Sequence, residues 1–153
     1  MWLRIGGFEL SKEQTREAAG ERAPAKAWLM GTAGWFFPGA GHLLQGYWER
    51  ALLLGGAIWM CFVSGLMMGG HLFKYSGGEA GLSSLLQVPP MIANLGTGLL
   101  YLVCWGLGLG FTDDPAQAAR ATYEYGNTFL LIAGLLNYLA MLDAFDISAG
   151  RKS

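Results

Sequence analysis

Charge is missing from long stretches of this chain. No Asp, Glu, Lys or Arg occurs between Lys26 and Glu49, between Arg50 and Lys74, between Glu79 and Asp113, or between Glu124 and Asp143. A helix rises about 1.5 Å per residue, so roughly 20 residues cross a hydrocarbon core of about 30 Å. Each charge-free run is near or above that length. Helices of a water-soluble domain need a charged face, and these runs have none, which excludes an ordinary soluble fold. Cysteine is also scarce. Cys61 and Cys104 both fall in apolar runs with no CxxC or Cys/His spacing, so a disulfide framework or zinc site is excluded and both read as buried apolar thiols. A basic stripe is absent as well: the net charge is −1, and nothing suggests a nucleic-acid partner. The opening MWLRIGGFELSKEQ has no continuous apolar core, so no cleaved signal peptide is expected.

Apolar sequence fills the space these absences leave. Hydrophobic residues make up 53% of the chain and charged residues 14%, a skew from soluble averages. The expected fold is all-α: a polytopic helical membrane protein with about four transmembrane helices, over residues 27–44, 51–70, 91–111 and 128–142. A polar tail over 1–26 precedes this membrane domain, which extends to 148, and a basic tail over 149–153 ends the chain. Pro38, among Gly34, Gly39 and Gly41, predicts a kinked or re-entrant first segment. Leu82, Leu85 and Leu86 predict a short interfacial helix, and Pro89-Pro90 the entry to the third span. Asp114 before Pro115 reads as the N-cap and first residue of a short surface helix, and Asn127 as the opening of the fourth span. In the tail, Ser11 and Gln14 resemble a capping box.

Four spans would place Arg4, Lys12, Arg16, Arg22, Lys26, Lys74, Arg151 and Lys152 on one side and only Arg50 and Arg120 on the other. By the positive-inside rule both termini are then cytoplasmic, and a bacterial inner membrane is the expected location. A re-entrant first segment moves Lys74, Arg151 and Lys152 outside and leaves a weaker contrast. Trp28, Tyr47, Trp48, Tyr75, Tyr123 and Tyr125 sit near predicted span ends, where amphipathic rings favour the headgroups. Trp35, Trp59, Tyr101, Trp105 and Tyr138 are expected to pack between helices.

Pro38-Gly39-Ala40-Gly41-His42-Leu43-Leu44-Gln45-Gly46-Tyr47, followed by a long apolar run, resembles the glycine-rich hairpin of the two-transmembrane domain family and of related small bacterial membrane proteins. Gly41, Gly46 and Tyr47 match its outline. The family's Asp-Arg-Phe-type turn is absent, and so is the Asp near the end of its second helix; Asp143 ends the fourth span instead. The resemblance implies a membrane protein of unestablished biochemical role.

The residues that could carry function are few. Gly65 and Gly69 in the second span, and Gly106 and Gly110 in the third, are GxxxG pairs that let helix backbones approach closely in lipid. Ala133, Asn137, Ala140 and Ala144 share one face of the fourth span. These faces are expected to serve packing, first within the chain and then against partner helices. Asn94 and Asn137 are expected to hydrogen-bond between helices. His42 and His71, the two histidines, are read as hydrogen-bonded structural residues, His42 bonding to carbonyls freed by the Pro-Gly break. Either is also a possible ligand contact or an axial ligand for a haem or chlorophyll-type pigment. No metal cage or catalytic arrangement is expected. Asp143 and Asp146 share a helix face, with Arg151 and Lys152 in reach to balance them.

The reading this supports is a non-enzymatic integral membrane protein, an accessory or scaffold subunit that contacts lipid and other membrane subunits and carries no cofactor. The alternatives are a small-ligand or lipid-binding protein or minor transporter with its site at the Pro38–His42 break, and a haem- or chlorin-bearing subunit.

Overall fold

A computed structural model describes residues 25–74, 82–112 and 114–152. The tail capping box at Ser11 and Gln14 lies outside them. The described residues form seven helices and no strand: α1 over 25–36, α2 Ala40–Leu44, α3 Trp48–Met67, α4 Leu82–Leu95, α5 Leu99–Leu107, α6 Pro115–Ala118 and α7 Tyr123–Ser148.

The helices α3, of 20 residues, and α7, of 26, are each long and apolar enough to cross a membrane. A third crossing is possible by length and composition only if α4 and α5 are taken as one span, and they are bent by 112° at their break. The expected spans 27–44 and 91–111 are therefore each interrupted, at residues 37–39 and 96–98. Glycine makes both interruptions possible. Gly39 has φ 91° and Gly98 φ 59°, a region that L side chains avoid.

α3 and α7 run antiparallel. Gly65, late in α3, packs on Leu130 and the Gly126 carbonyl, early in α7. One end of the molecule thus carries the C-terminus of α7 and the start of α3; it is called the near end below, and the opposite one the far end. Both interrupted segments begin and finish at a single end. Helix α1 starts at the near end, where Trp28 meets Phe145 edge to face at 5.2 Å. It reaches Asn137 of α7 at Trp35, and α2 then returns along α7 to Gln45, whose Nε2 donates to the Ala144 carbonyl at 2.9 Å. Gly41 allows this return, because a Cβ there would lie 2.6 Å from the Met30 carbonyl oxygen and 2.8 Å from Ala144 Cβ.

The second segment mirrors the first from the far end. Leu72 N–H donates to the Gly110 carbonyl at 2.7 Å, so the excursion between these residues returns to where it left. Its tip, Gly96-Thr97-Gly98, reaches Asn137 from the other side. Asn137 lies about 16 Å along α7 from Gly126 and about 9 Å from Asp143, at 1.5 Å per residue. The molecule is thus two helical hairpins inserted from opposite ends beside two long helices.

Local sequence explains the remaining boundaries. Gly46, Gly69 and Gly150, with φ 84°, 84° and 70°, follow the last turns of α2, α3 and α7. In each, paired N–H groups fold back on carbonyls three and five residues earlier, as in Tyr47 N–H to His42 O. Asp114 caps α6 by accepting from Ala116 N–H at 2.9 Å, as its position before proline indicates. Pro89 and Pro90, expected at a span entry, lie inside α4. Each removes one helical donor, and the carbonyls left without it belong to Leu85 and Leu86, whose side chains are exposed. Asn127 does not open α7, which starts at Tyr123; its Oδ1 instead accepts from His71 N–H at 2.7 Å.

The apolar core lies between α3, α5 and α7 and includes Ile58, Phe62, Leu100, Cys104, Leu130 and Ala133. Tyr101 is buried there, with its hydroxyl donating to the Phe73 carbonyl. Tyr138 likewise donates to the Ile92 carbonyl. Trp59 and Trp105, expected between helices, are exposed on the outside of the single chain.

Candidate functional site

Two polar groupings interrupt the apolar interior, one at the near end and one where the hairpin tips meet. The near-end grouping is built by hairpin one on the last turns of α7. The break at Pro38-Gly39 directs α2 against α7, which brings His42 beside Asp143, a residue 101 positions away. His42 Nε2 donates to Asp143 Oδ2 at 2.9 Å. His42 is 1% exposed and Asp143 20%. Lys152 Nζ donates to the other carboxylate oxygen, Oδ1, from a position that is 59% exposed. The turn at Gly150 sets this up: Arg151 N–H reaches back to the Asp146 carbonyl, folding the basic tail over the last turn. The guanidinium of Arg151 then meets Asp146 at 3.4 Å and lies over the Phe145 ring. A carboxylate accepting from a buried imidazole on one side and an ammonium on the other is fully paired. Such an arrangement fixes α2 to α7 more readily than it binds a ligand.

The second grouping is the junction of the tips. Asn137 Nδ2 donates to Trp35 O at 3.0 Å and to Gly96 O at 2.8 Å, tying one residue of each hairpin to α7. Asn94, Thr97 and Asn137 are all fully buried, and Thr97 Oγ1 donates to the Asn94 carbonyl. Backbones touch here without side chains between them. A Cβ on Gly134 would fall on the Ala93 carbonyl oxygen, and one on Gly98 on that of Trp35, both far inside contact distance.

Residues 29–153 match the model of the family of unknown function DUF6677. The chain belongs to that family. No curated protein and no solved structure matches it. The DUF6677 match spans both hairpins, both long helices and the Pro38–Tyr47 stretch that resembles the two-transmembrane domain family, and it names no biochemical role.

In this DUF6677 member the residues singled out from sequence separate into distinct places. His42 and His71 lie at opposite ends of α3. His42 bonds to Asp143 rather than to carbonyls freed at the break, so its Nε2 is occupied. The His71 ring meets Phe73 edge to face at 5.2 Å. Gly65 packs on α7, while Gly69 lies beyond the end of α3 and touches Gln117. Gly106 faces open space and Gly110 closes the far-end loop on Leu66 and Leu72. Ala133, Asn137, Ala140 and Ala144 form the buried face of α7. Among the described residues no group of three His, Cys, Asp or Glu side chains is placed to hold a metal ion. Asn94 makes no side-chain hydrogen bond, contrary to the expectation that it would bridge helices. Sequence reasoning missed the His42–Asp143 pair and the role of Gln45. Their only sequence signal is a polar residue following a helix break and an acidic one closing an apolar run.

A further feature follows from the break itself. Phe37, Pro38, Ala40 and Leu43 face Leu52, Gly56 and Trp59 of α3 across an apolar groove of about 320 Å³. Gly39 and Gly55 form its floor, where a Cβ on Gly55 would lie 2.9 Å from the Pro38 carbonyl oxygen.

Proposed function

We propose that this is a non-enzymatic integral membrane protein in which α3 and α7 cross the bilayer, the two hairpins enter from opposite faces, and the outer surface packs against lipid and partner helices as an accessory subunit. One observation carries the reading: the interior side chains of Gln45, Asn137, Tyr101 and Tyr138 hold one element to another, while the outside is apolar. Gln45, Asn137, Tyr101 and Tyr138 each donate to the backbone of another element. Leu53, Met60, Met67, Trp105 and Leu107 are exposed. Irregular backbone at membrane depth is tolerated where protein buries it; the Pro38-Gly39 turn is buried against Ala51 and Gly55 of α3, and the 96–98 turn against α7.

This topology sorts the basic residues anew. Lys26, Arg50, Arg151 and Lys152 come to the near end, and Lys74 and Arg120 to the far end. The near end is then cytoplasmic by the positive-inside rule. Four crossings would instead place Glu49 with Arg120 and Lys74 with Lys152. Impermeant thiol labelling in intact cells separates the two, using single-cysteine variants on a background lacking Cys61 and Cys104. Glu49→Cys and Lys152→Cys should be protected together, and Lys74→Cys and Arg120→Cys labelled together. Labelling of Glu49→Cys with protection of Lys74→Cys overturns the topology. The subunit role is tested by purification from native membranes in mild detergent. A stoichiometric protein partner supports it, and a lone chain or homo-oligomer overturns it.

A second reading, a lipid-binding protein, is favoured by the groove at the Pro38 break. Its lining offers an acyl chain mainly apolar contact, with the Trp59 indole as its one polar side chain, and His42 is turned away toward Asp143. Gly56→Leu should fill the groove and lower the lipid retained by the purified protein, measured by mass spectrometry of extracts. Unchanged retention removes this reading.

A further inference from the structure

Three buried polar atoms at the hairpin junction have no partner in the chain: Asn94 Oδ1, Asn94 Nδ2 and Asn137 Oδ1. The orientation of the Asn137 amide is fixed, because its nitrogen donates to two carbonyls, Trp35 O and Gly96 O. Its oxygen must therefore face away from them as an acceptor. Asn94 follows Ala93, whose carbonyl presses on Gly134 of the same α7 face that carries Asn137. It also precedes Gly96, which Asn137 holds.

A buried amide left without a partner carries its full desolvation penalty, which grows where no water is near. Packing alone would be served better by a leucine at position 94. The unpaired atoms include both donors and acceptors, and none of the residues that form the junction is Asp, Glu, Lys, Arg or His. A single ion satisfies one kind of group and leaves the other bare. A small neutral molecule that both donates and accepts satisfies them together.

We propose that the junction of the two hairpins is a binding site for a small, uncharged, hydrogen-bonding ligand, either water or a polar solute of similar size, held by Asn94 and Asn137. The ligand donates to Asn94 Oδ1 and Asn137 Oδ1 and accepts from Asn94 Nδ2. It completes the polar contact between the two tips and α7. The proposal does not depend on the subunit role, since it concerns the isolated chain.

The test uses the full-length protein in detergent micelles with ¹⁵N-labelled asparagine. Water at the site gives cross-relaxation between long-lived water and the Asn94 side-chain NH₂ protons. A solute instead appears as an added mass in native mass spectrometry that Asn94→Leu removes. In either case Asn94→Leu lowers the thermal midpoint by about 3 °C or more, a shift on the scale of 1 kcal/mol for a chain of this size. A dry junction gives the reverse: no water contact at Asn94, no bound mass, and a higher midpoint for Asn94→Leu because a bondless amide has been replaced by apolar volume. That outcome overturns the proposal, and the wild-type measurement stands even if the variant fails to fold.

Discussion

Hairpin one, residues 25–44, reverses at Pro38-Gly39, and hairpin two, residues 82–107, at Gly96-Thr97-Gly98. Both turns use a glycine with positive φ, at Gly39 and Gly98. Their prolines behave differently. Pro38 stands at the first turn, whereas Pro89 and Pro90 sit inside α4, a full helical turn before the second. Anchorage differs too. Hairpin one is held by polar side chains on its returning arm, with His42 on Asp143 and Gln45 on the Ala144 carbonyl. Hairpin two contributes no anchoring polar side chain to α7: its backbone accepts from Asn137 at Gly96 and from Tyr138 at Ile92, and its backbone presses close, Ala93 against Gly134 and Gly98 against Trp35. In these hairpins a left-handed glycine marks the reversal, and proline does not.

If hairpin two depends on bare backbone contact, one added side chain should break it. Gly134→Val is expected to cost more than 4 kcal/mol, because its Cβ would overlap the Ala93 carbonyl and no flexible side chain is there to give way. The readout is loss of monodisperse protein after detergent extraction. Gly39→Ala should be milder, with its Cβ 2.7 Å from the Ala51 carbonyl oxygen and about 1–3 kcal/mol of backbone strain. Equal tolerance of the two would refute the contrast between the hairpins.

Asn137 is the residue the hairpins share. Asn137→Leu removes one bond to each hairpin, at Trp35 and at Gly96. At about 0.5–1.5 kcal/mol per bond plus the cost of two stranded carbonyls, destabilisation of about 2–4 kcal/mol is expected. Thermal unfolding followed by tryptophan fluorescence checks this. A loss below about 0.5 kcal/mol would mean that the tips are held by backbone packing alone.

How far the sequence anticipates this arrangement depends on the kind of signal. Absence of charge over 51–73 and 125–142 marks α3 and α7, because lipid excludes charge from the whole helix surface and leaves a one-dimensional record. The same absence over 27–48 and 80–112 marks apolar sequence without telling a straight helix from one that breaks and turns. That choice rests on contacts such as Leu72 with Gly110, which hydropathy does not encode. The pairing of Arg151 and Lys152 with Asp146 and Asp143 was legible from short separation along the chain. The pairing of His42 with Asp143 was not, since it requires knowing that α2 turns back along α7. Pro89-Pro90 misleads because the carbonyls it leaves free lie on α4's exposed Leu85 and Leu86.

The anchorage of hairpin one can be dissected through the two partners of Asp143. His42→Phe keeps ring volume, removes the buried bond and leaves one carboxylate oxygen unpaired, for an expected loss of about 1–3 kcal/mol. Lys152→Gln touches only the exposed partner, and exposed ion pairs contribute about 0–1 kcal/mol. Thermal midpoints should therefore fall clearly for the first and by little for the second. The reverse order would place the anchor in the basic tail.

The smallest expected effect separates packing within the chain from packing against a partner. Gly65 and Gly106 both belong to GxxxG pairs. A Cβ on Gly65 would lie 2.7 Å from Leu130 Cγ, whereas one on Gly106 would meet nothing within 4 Å. In the purified single chain, Gly106→Ala should leave the thermal midpoint unchanged or raise it slightly, by the 0.5–1 kcal/mol or so that alanine gains over glycine in a helix. Gly65→Ala should lower it. In native membranes the order can invert, because a bare face on α5 is where another helix would approach most closely. If the accessory role holds, Gly106→Ala reduces the partner recovered on purification while leaving the chain itself as stable as before. A stable variant with undiminished partner recovery would assign that face to lipid.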